Sequence, residues 1–355
     1  MTLNLREFEA LAREQLSPMA WAYFAGGADD EISLRDADRA WERHRLRPRV
    51  LVDVSAVDPR TTVLGAPLGF PVLTAPCALN QLAHPDGERA VARAAAAAGI
   101  VQVLSTASSV GLEEVATAAV APRWFQLYCY RDRAITEDLV RRAEAAGYAA
   151  ICLTVDLPML GRRERELRVS FDPPPGITMK NLERYAADAL SGQAGGSALA
   201  HYVANQWESS LTWDAVDWLR SRTTLPIVLK GILTGADATL AVEHGAAAIV
   251  VSTHGGRQLD RVIATPDALP EVVAAVDGRA EVLVDGGVRR GTDILVALAL
   301  GARAVLIGRP YLWGLAVGGE AGVAQVLKLL RDEFILALAL SGRPSVTAVG
   351  RDLLA

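Results

Sequence analysis

Short apolar runs rich in β-branched residues recur along the chain, and each ends at a small or polar residue. Eight such runs are present: Phe70–Ala75, Ile100–Ser105, Arg123–Tyr128, Ala150–Val155, Ile227–Gly231, Ala247–Ser252, Glu281–Asp285 and Ala304–Gly308. Runs this short and this apolar are typical of strands buried on both faces, as in a parallel sheet. The pattern therefore predicts eight parallel strands.

Helical patterns lie between these runs. Plausible ends are the glycines Gly147, Gly245 and Gly301, since glycine readily adopts the left-handed conformation that terminates a helix. Plausible N-caps are the threonines Thr136, Thr234 and Thr292. Repeated strand–helix alternation predicts an α/β fold, a (β/α)8 TIM barrel.

Two segments fall outside the repeat. Residues 1–65 are expected to form an N-terminal helical extension. About 70 residues separate Val155 from Ile227, where a helix is predicted at Trp213–Arg222 and a lid-like insertion at 170–211. Because this insertion follows the fourth strand, we expect it at the carboxyl end of the barrel, and we interpret 1–355 as a single domain.

Composition narrows the class of protein. The 355 residues are 51% hydrophobic and 22% charged, which excludes a disordered or fibrous chain. The net charge of −5 argues against nucleic acid or an anionic membrane as the main partner. The start of the chain lacks an apolar signal segment, and no apolar stretch approaches the ~20 residues of a membrane span. We therefore expect a soluble, cytoplasmic protein.

Cysteine and lysine are both scarce. The cysteines Cys77, Cys129 and Cys152 fit neither a disulfide framework nor a metal site, and no metal is expected. Only Lys180 and Lys328 accompany Lys230, whereas arginine supplies the other 33 basic residues. Because arginine is so strongly preferred in this chain, each lysine is a candidate for a role that arginine could not fill.

Candidate functional residues follow the strands, because barrel active sites lie at the carboxyl ends of strands. Glycines after strands seven and eight, with Arg289 and Arg309 nearby, indicate a phosphate-binding site, although they could simply form tight turns. After strand six, His254 could act as a base beside an anion-binding Arg257. Asp156 could orient that histidine. Structural or capping roles remain open for both residues.

Lys230 ends the fifth strand. A compact positive charge there could stabilise an anionic intermediate. A Schiff-base lysine and a solvated strand-end lysine are the alternatives.

The segments STHGGRQLD, VDGGVRRGTD, IGRP, FQLYCYRDR, LTVDLPMLGRR and KGILT occur along nearly the whole chain. Together they resemble the FMN-dependent 2-hydroxy-acid oxidase and dehydrogenase family, which includes glycolate oxidase, lactate oxidase and mandelate dehydrogenase. The resemblance implies FMN as cofactor and oxidation of a 2-hydroxy acid as the reaction. It also implies a homo-oligomer, a tetramer or an octamer.

The same resemblance implies a role for each site residue. His254 would be the base, paired with Asp156, whether the route is a carbanion or a hydride transfer. Substrate would be bound by Arg163, Arg257, Tyr23 and Tyr128. Lys230 would neutralise the reduced flavin. The flavin ring and ribityl chain would contact Pro76, Cys77, Ala78, Ser105, Gln126, Thr154 and Ser252. The ribityl phosphate would be held by Asp285, Gly286, Gly287, Arg289, Gly308 and Arg309.

Two departures bear on substrate and acceptor. Plant-type glycolate oxidases have Trp where this chain has Ala107, so a bulkier substrate than glycolate is expected, resembling mandelate, 4-hydroxymandelate or lactate. Membrane-bound relatives carry an apolar segment in the insertion, which here is polar. This favours reoxidation by O₂ with release of H₂O₂.

Other readings of the barrel remain. One is a soluble dehydrogenase with another electron acceptor. Others are a flavin-dependent isomerase, a colourless phosphosugar enzyme, or a barrel that only binds its ligand.

Overall fold

The computed structural model describes residues 2–186 and 208–355. Within them, eight parallel strands close into a barrel, preceded by an antiparallel hairpin of β1 (Thr61–Val63) and β2 (Ala66–Leu68). The barrel strands, in chain and spatial order, are β3 Val72–Thr74, β4 Val101–Leu104, β5 Arg123–Leu127, β6 Ala150–Thr154, β7 Ile227–Ile232, β8 Ala248–Val251, β9 Glu281–Asp285 and β10 Ala304–Ile307. β10 pairs with β3 to close the ring. The predicted TIM barrel and its eight strands are confirmed.

Helices precede, connect and follow the strands. The extension contains α1 Leu5–Gln15, α2 Pro18–Ala25 and α3 Ile32–Glu42. The next helices are α4 Gly87–Ala97, α5 Leu112–Ala118, α6 Arg133–Ala145, α7 Glu164–Arg168, α8 Glu183–Ala186 and α9 Asp214–Arg220. The last are α10 Gly235–Glu243, α11 Thr265–Val276, α12 Gly291–Ala299 and α13 Arg309–Leu340, which is kinked at Gly318 and Gly319.

Alternating side chains explain why the strands are apolar on both faces. Residues such as Val103, Trp124 and Leu283 fill the barrel interior, whereas neighbours such as Phe125 and Val284 face the surrounding helices. The β1–β2 hairpin packs Val63 and Leu68 into the interior cluster, and Leu64 N–H donates to Glu281 at the start of β9. The hairpin therefore covers the amino end of the barrel, and the carboxyl end remains for a site.

The predicted helix ends are partly confirmed. Gly147, Gly245 and Gly301 each follow a helix with positive φ, as expected. Thr234 caps α10 by accepting the Asp237 N–H.

Two N-cap predictions are wrong. α6 begins earlier, behind Asp132, and Thr136 lies inside it, where its hydroxyl accepts the Tyr130 N–H. α12 begins at Gly291 and already contains Thr292, because Asp293 accepts the N–H groups of Arg289 and Arg290.

Long-range contacts attach the extension to the barrel. The carboxylate of Asp260, in the loop after β8, accepts the N–H groups of Ile32 and Ser33 and so caps α3 from a distance. The Trp41 indole donates to the carbonyl of Gly286, after β9. α3 is thereby held against the carboxyl end of the barrel.

The insertion predicted at 170–211 is described only at its two ends. Residues 187–207 lie outside the described part of the chain, so the lid-like character of the segment stays a prediction. The helix predicted at Trp213–Arg222 is present as α9. No helix in the described ranges is both long enough and apolar enough to cross a membrane.

The three lysines differ in environment. Lys180 and Lys328 lie at the surface: Lys180, just before α8, pairs with Glu183, and Lys328 pairs with Asp332 one turn further along α13. Lys230 is buried at the end of β7. The buried lysine is the one that sequence reasoning assigned to the site.

Candidate active site

A cavity of about 290 Å³ opens at the carboxyl ends of the strands. All but three of the sequence-predicted site residues line it: Tyr23, Pro76, Cys77, Ala78, Ser105, Ala107, Tyr128, Thr154, Arg163, Lys230, His254, Arg257, Asp285, Gly286, Gly287, Arg289, Gly308 and Arg309. The other three, Gln126, Asp156 and Ser252, form hydrogen bonds with lining residues. The structure thus brings the whole predicted set to one place.

His254 and Asp156 form a hydrogen-bonded pair at the cavity wall. Nδ1 of His254 lies 2.9 Å from Oδ1 of Asp156. His254 has φ +54°, and its N–H donates to Ser252 Oγ, so the backbone conformation of the loop fixes the ring. Gly231, at a register shift in β7 with φ +115°, leaves room for Asp156, since a Cβ there would lie 2.6 Å from the Asp156 Cβ.

The protonation of this pair follows from its surroundings. Burial lowers the pKa of His254, and the charge of Asp156 only partly offsets that effect. Although burial favours a neutral Asp156, His254 and Lys230 hold the pKa of this carboxyl below its ordinary value. A carboxylate only accepts hydrogen bonds, so we assign the imidazole proton to Nδ1. Nε2 of the neutral ring can then accept a proton.

Two guanidinium groups lie beside the histidine. Arg163 donates to the carbonyl of Arg257 and to the side chain of Gln258. Arg257 donates from Nη2 to Glu166 Oε1 at 2.9 Å. Burial and the neighbouring charge of Arg257 lower the pKa of Arg163 to about 10, so the group remains cationic at neutral pH. The pair suits recognition of a carboxylate.

Two tyrosines also face the cavity. The Tyr23 ring stacks on Phe171 at 4.5 Å between centroids, and the Arg257 guanidinium lies 5.1 Å from its centre. Burial raises the pKa of Tyr23 to about 12, and burial together with Asp156 raises the pKa of Tyr128 further above its ordinary value. Both hydroxyls therefore remain protonated and able to donate hydrogen bonds.

Lys230 lies deeper, between two polar side chains. Its Nζ is 2.7 Å from Ser252 Oγ and 3.0 Å from Asp285 Oδ2. Burial by itself would lower the pKa of Lys230, but Asp285 and Asp156 outweigh it, and the pKa lies above its ordinary value. The site thus holds a permanent cation close to the base.

A polar row crosses the neighbouring strands. Gln126 Oε1 accepts the Thr106 N–H at 3.2 Å and lies 3.3 Å from the Ser105 hydroxyl, whereas Nε2 donates to Thr154 at 3.0 Å. These contacts fix the orientation of the Gln126 amide. They present hydroxyl and amide groups along one side of the cavity.

The ends of β9 and β10 carry features suited to a phosphate. Gly286 and Gly287 have φ of +89° and +77°, and a Cβ on Gly287 would lie 2.1 Å from the carbonyl oxygen of Ala37. Arg289 is buried, and its Nε bonds to none of the described residues. Asp285 Oδ1 is also buried without a partner among them. Buried polar atoms of this kind call for a polar ligand, and FMN supplies one with its ribityl hydroxyls and phosphate.

Arg257 and Arg309 also cap the C-terminus of α2. Arg257 donates to the carbonyls of Tyr23 and Gly26, at 2.5 and 3.0 Å. Arg309 donates to those of Phe24, Gly26 and Gly255. Burial and the charge of Arg257 lower the pKa of Arg309 to about 9. The last carbonyls of α2 are thus satisfied by two cavity arginines, and Tyr23 is positioned by them.

Sequence reasoning missed several cavity residues. Glu166 and Phe171, on and after α7, contact the arginines and Tyr23 as described above. An apolar wall contains Tyr130, Leu157, Leu160, Ile177 and Met179. The signal for Glu166 was its position within GRRERE, three residues after Arg163 on a helix. The apolar wall gives no motif, because any apolar residue can serve there.

Asn181 supports this wall from outside the cavity. It is fully buried, donates to the Thr106 carbonyl and to Ser108 Oγ, and accepts the Leu112 N–H. The segment that includes Ile177 and Met179 is therefore attached to the loop carrying Ala107.

Known proteins resemble this chain over nearly its full length. The family model described as FMN-dependent dehydrogenase matches residues 12–355. L-lactate oxidase of Nostoc sp. is 56% identical over 96% of this chain and 94% of its own length. Glycolate oxidase 1 of Zea mays is 52% identical over 98% and 94%. The solved structure of mandelate oxidase with (S)-4-hydroxymandelic acid is 45% identical, with a TM-score of 0.93 over 100% of this chain and 98% of that one.

Family and geometry agree. Matches of this length and identity confirm the resemblance identified from the sequence motifs, and with it FMN as cofactor. The chain belongs to the FMN-dependent dehydrogenase family and is a flavoenzyme of 2-hydroxy-acid oxidation.

Proposed function

We propose that the enzyme oxidises an (S)-2-hydroxy acid larger than glycolate to its 2-oxo acid, with O₂ as acceptor and H₂O₂ as second product. The observation that carries the reaction type is the convergence on one cavity of a His–Asp pair, two arginines and a buried lysine. The relatives named lactate, glycolate and mandelate oxidase support the choice of O₂. We also propose a cytoplasmic homo-oligomer acting on a small molecule.

Residues along the cavity would hold FMN in two groups. Gln126, Ser105, Thr154 and the backbone at 76–78 would contact the flavin ring and ribityl chain. The glycines 286, 287 and 308, with Arg289 and Arg309, would bind the phosphate. When bound, FMN supplies the two-electron acceptor for the substrate.

The protein residues bind the acid and move its proton. Arg163 and Arg257 would bind the substrate carboxylate, and the Tyr23 and Tyr128 hydroxyls would orient its carboxylate and 2-hydroxyl. Nε2 of His254 accepts one proton from the substrate, from carbon in a carbanion route or from oxygen in a hydride route. Asp156 stabilises the imidazolium that results. Lys230 supplies a fixed positive charge beside the flavin.

Ala107 supports the choice of a larger substrate. Its methyl group faces the cavity together with the apolar side chains of Leu157, Leu160, Ile177 and Met179. Small and apolar surroundings favour a substrate with an apolar side chain, branched or aryl, because burying that side chain contributes about 25 cal/mol per Å². A mandelate-like acid fits this expectation better than glycolate.

Flavin bleaching tests the proposal. We expect the purified enzyme to be yellow, to lose colour anaerobically with an (S)-2-hydroxy acid from a graded panel, and to regain it in air with release of H₂O₂. Bleaching followed by reoxidation only with a quinone would favour the soluble dehydrogenase. Absence of bleaching with every acid would rule out 2-hydroxy-acid oxidation and favour the isomerase.

The base role has its own test with a matched control. His254→Gln should retain FMN and reduce the rate of flavin bleaching by about 10²–10⁴ or more. His244 forms a comparable 2.9 Å pair with Asp217 at the surface, outside the cavity, so His244→Gln should bleach at the normal rate. Near-normal bleaching by His254→Gln would remove it from the base role.

A further inference from the structure

Glu166 places a carboxylate inside the site that would bind the substrate carboxylate. It lines the cavity, and its side chain is 13% exposed. Its Oε1 lies 2.9 Å from Arg257 Nη2 and 3.8 Å from Arg163 Nη1. None of the roles assigned above uses this residue.

The charges of this group balance for one anion. Arg163 and Arg257 together carry two positive charges, and Glu166 cancels one. A substrate with a single carboxylate therefore brings the buried group to neutrality. A second carboxylate would leave an uncompensated negative charge, which is costly in a buried site.

Glu166 also helps to orient the side chain of Arg257. Nη1 donates to the carbonyls of Tyr23 and Gly26, and Nη2 donates to Glu166. Nε forms no hydrogen bond with any described residue. The three contacts fix the plane of the guanidinium and leave its Nε edge for a ligand.

We propose that Glu166 is a specificity-determining and positioning residue, a built-in counter-ion that restricts the arginine pair to one carboxylate. This inference rests on the proposed function, because it assumes that the two arginines bind the acid. It predicts discrimination between monoanions and dianions of the same shape.

Oxamate and oxalate form a suitable pair of probes, since an amide replaces one carboxylate with almost no change in size. Their dissociation constants can be measured on the holoenzyme from the perturbation of flavin absorption. In Glu166→Gln the amide oxygen can still accept from Arg257, so only the charge is lost. We expect both anions to bind more tightly and the preference for oxalate over oxamate to rise about tenfold, since buried charges are weakly screened.

Glu164 provides the matched control. It lies on the same helix and pairs with Arg168 at the surface, so Glu164→Gln should leave both dissociation constants unchanged. Glu166→Ala removes the hydrogen bond as well as the charge, and its kcat/KM should fall below that of Glu166→Gln. A purely structural role would lower the stability of both Glu166 variants equally without changing the anion preference.

The inference is overturned if Glu166→Gln has the wild-type preference between oxalate and oxamate. Should that variant not fold, Glu166→Asp and Glu166→Asn repeat the comparison at shorter reach, and only Asn should shift the preference. Failure of the proposed function would appear differently: the wild-type flavin would not bleach with any 2-hydroxy acid, whatever the anion titrations give.

Discussion

The imidazole Nδ1 of His254 lies 2.9 Å from a carboxylate oxygen of Asp156, and the other oxygen of Asp156 is buried with no partner among the described residues. Among the described residues, this carboxylate therefore forms a side-chain hydrogen bond only with His254. Its hydrogen bond goes to the imidazole, whereas its charge acts on the imidazole and also on Lys230 and Tyr128.

Asp156→Asn separates the effect of the hydrogen bond to His254 from the effect of the negative charge. The amide oxygen can still accept from Nδ1, but the charge that stabilises an imidazolium is gone, so we expect kcat to fall by about 10² or more. Because the base must be neutral, activity declines as pH falls through the pKa of His254, which burial places below its ordinary value. Asp156 raises that pKa, so its removal should move the acidic limb to lower pH. The loss is measured as kcat, and the shift is measured from the pH profile of kcat/KM, which reports the groups of the free enzyme; an acidic limb moved to higher pH would contradict the assignment.

Ala107→Trp tests the shape of the pocket. An indole in place of the methyl group would occupy space beside the apolar wall, so kcat/KM for aryl acids should fall by about tenfold or more relative to lactate or glycolate. Ala107→Val should have an intermediate effect. The measurement is kcat/KM over the acid panel; an unchanged order of substrates would mean that specificity is determined elsewhere in the cavity.

Asn181→Ala should disturb the wall without touching the cavity. Three hydrogen bonds to buried groups would be lost, costing about 2–4 kcal/mol, and KM for bulky acids should rise more than kcat falls. Asn4 caps α1 far from the site, so Asn4→Ala should cost about 1 kcal/mol and leave KM unchanged. Denaturant unfolding and steady-state kinetics report the two effects; equal KM values in the two variants would count against the role of Asn181.

Lys230→Met should be severe, since it leaves Asp285 buried without its 3.0 Å partner. Breaking such a buried pair costs about 3–5 kcal/mol. Lys328→Met breaks an exposed pair with Asp332 and should cost less than about 1 kcal/mol. Both are measured by urea unfolding with FMN in the same excess, and similar losses would mean that the Lys230 pair contributes no more than a surface contact.

The strands and the polar groups at their ends could be predicted because both depend on local sequence. A strand buried on two faces must be apolar throughout. In a barrel, the functional groups follow directly after the carboxyl end of each such apolar strand. The same logic identified Lys230, whose rarity was informative. The N-caps at Thr136 and Thr292 could not be placed, because Asp132 accepts the Ala134 N–H at the start of α6, and Asp293 accepts the N–H groups of Arg289 and Arg290 just before α12.

The remaining site residues depend on contacts between distant segments. Glu166 meets Arg257 across 91 positions, and Asn181 meets Thr106 across 75. Contacts between residues so far apart in the chain produce no local sequence pattern from which they could be predicted. The capping of α2 by Arg257 and Arg309 was also unforeseen, since both arginines were interpreted only as anion-binding groups.

That capping has a consequence for how small such a catalyst could be. Without α2, Tyr23 would be lost, and Arg257 and Arg309 would lose the carbonyl oxygens of Tyr23, Phe24 and Gly26 that accept their hydrogen bonds. Arg257 would keep Glu166 and Arg309 would keep the carbonyl of Gly255, but the repulsion between the two guanidinium groups would be less well offset. A barrel without α2 would keep His254 and the glycines after β9 and β10. The arginines at the carboxyl end of the barrel would, however, repel one another more strongly. The smallest autonomous catalyst of this design therefore begins before the barrel does.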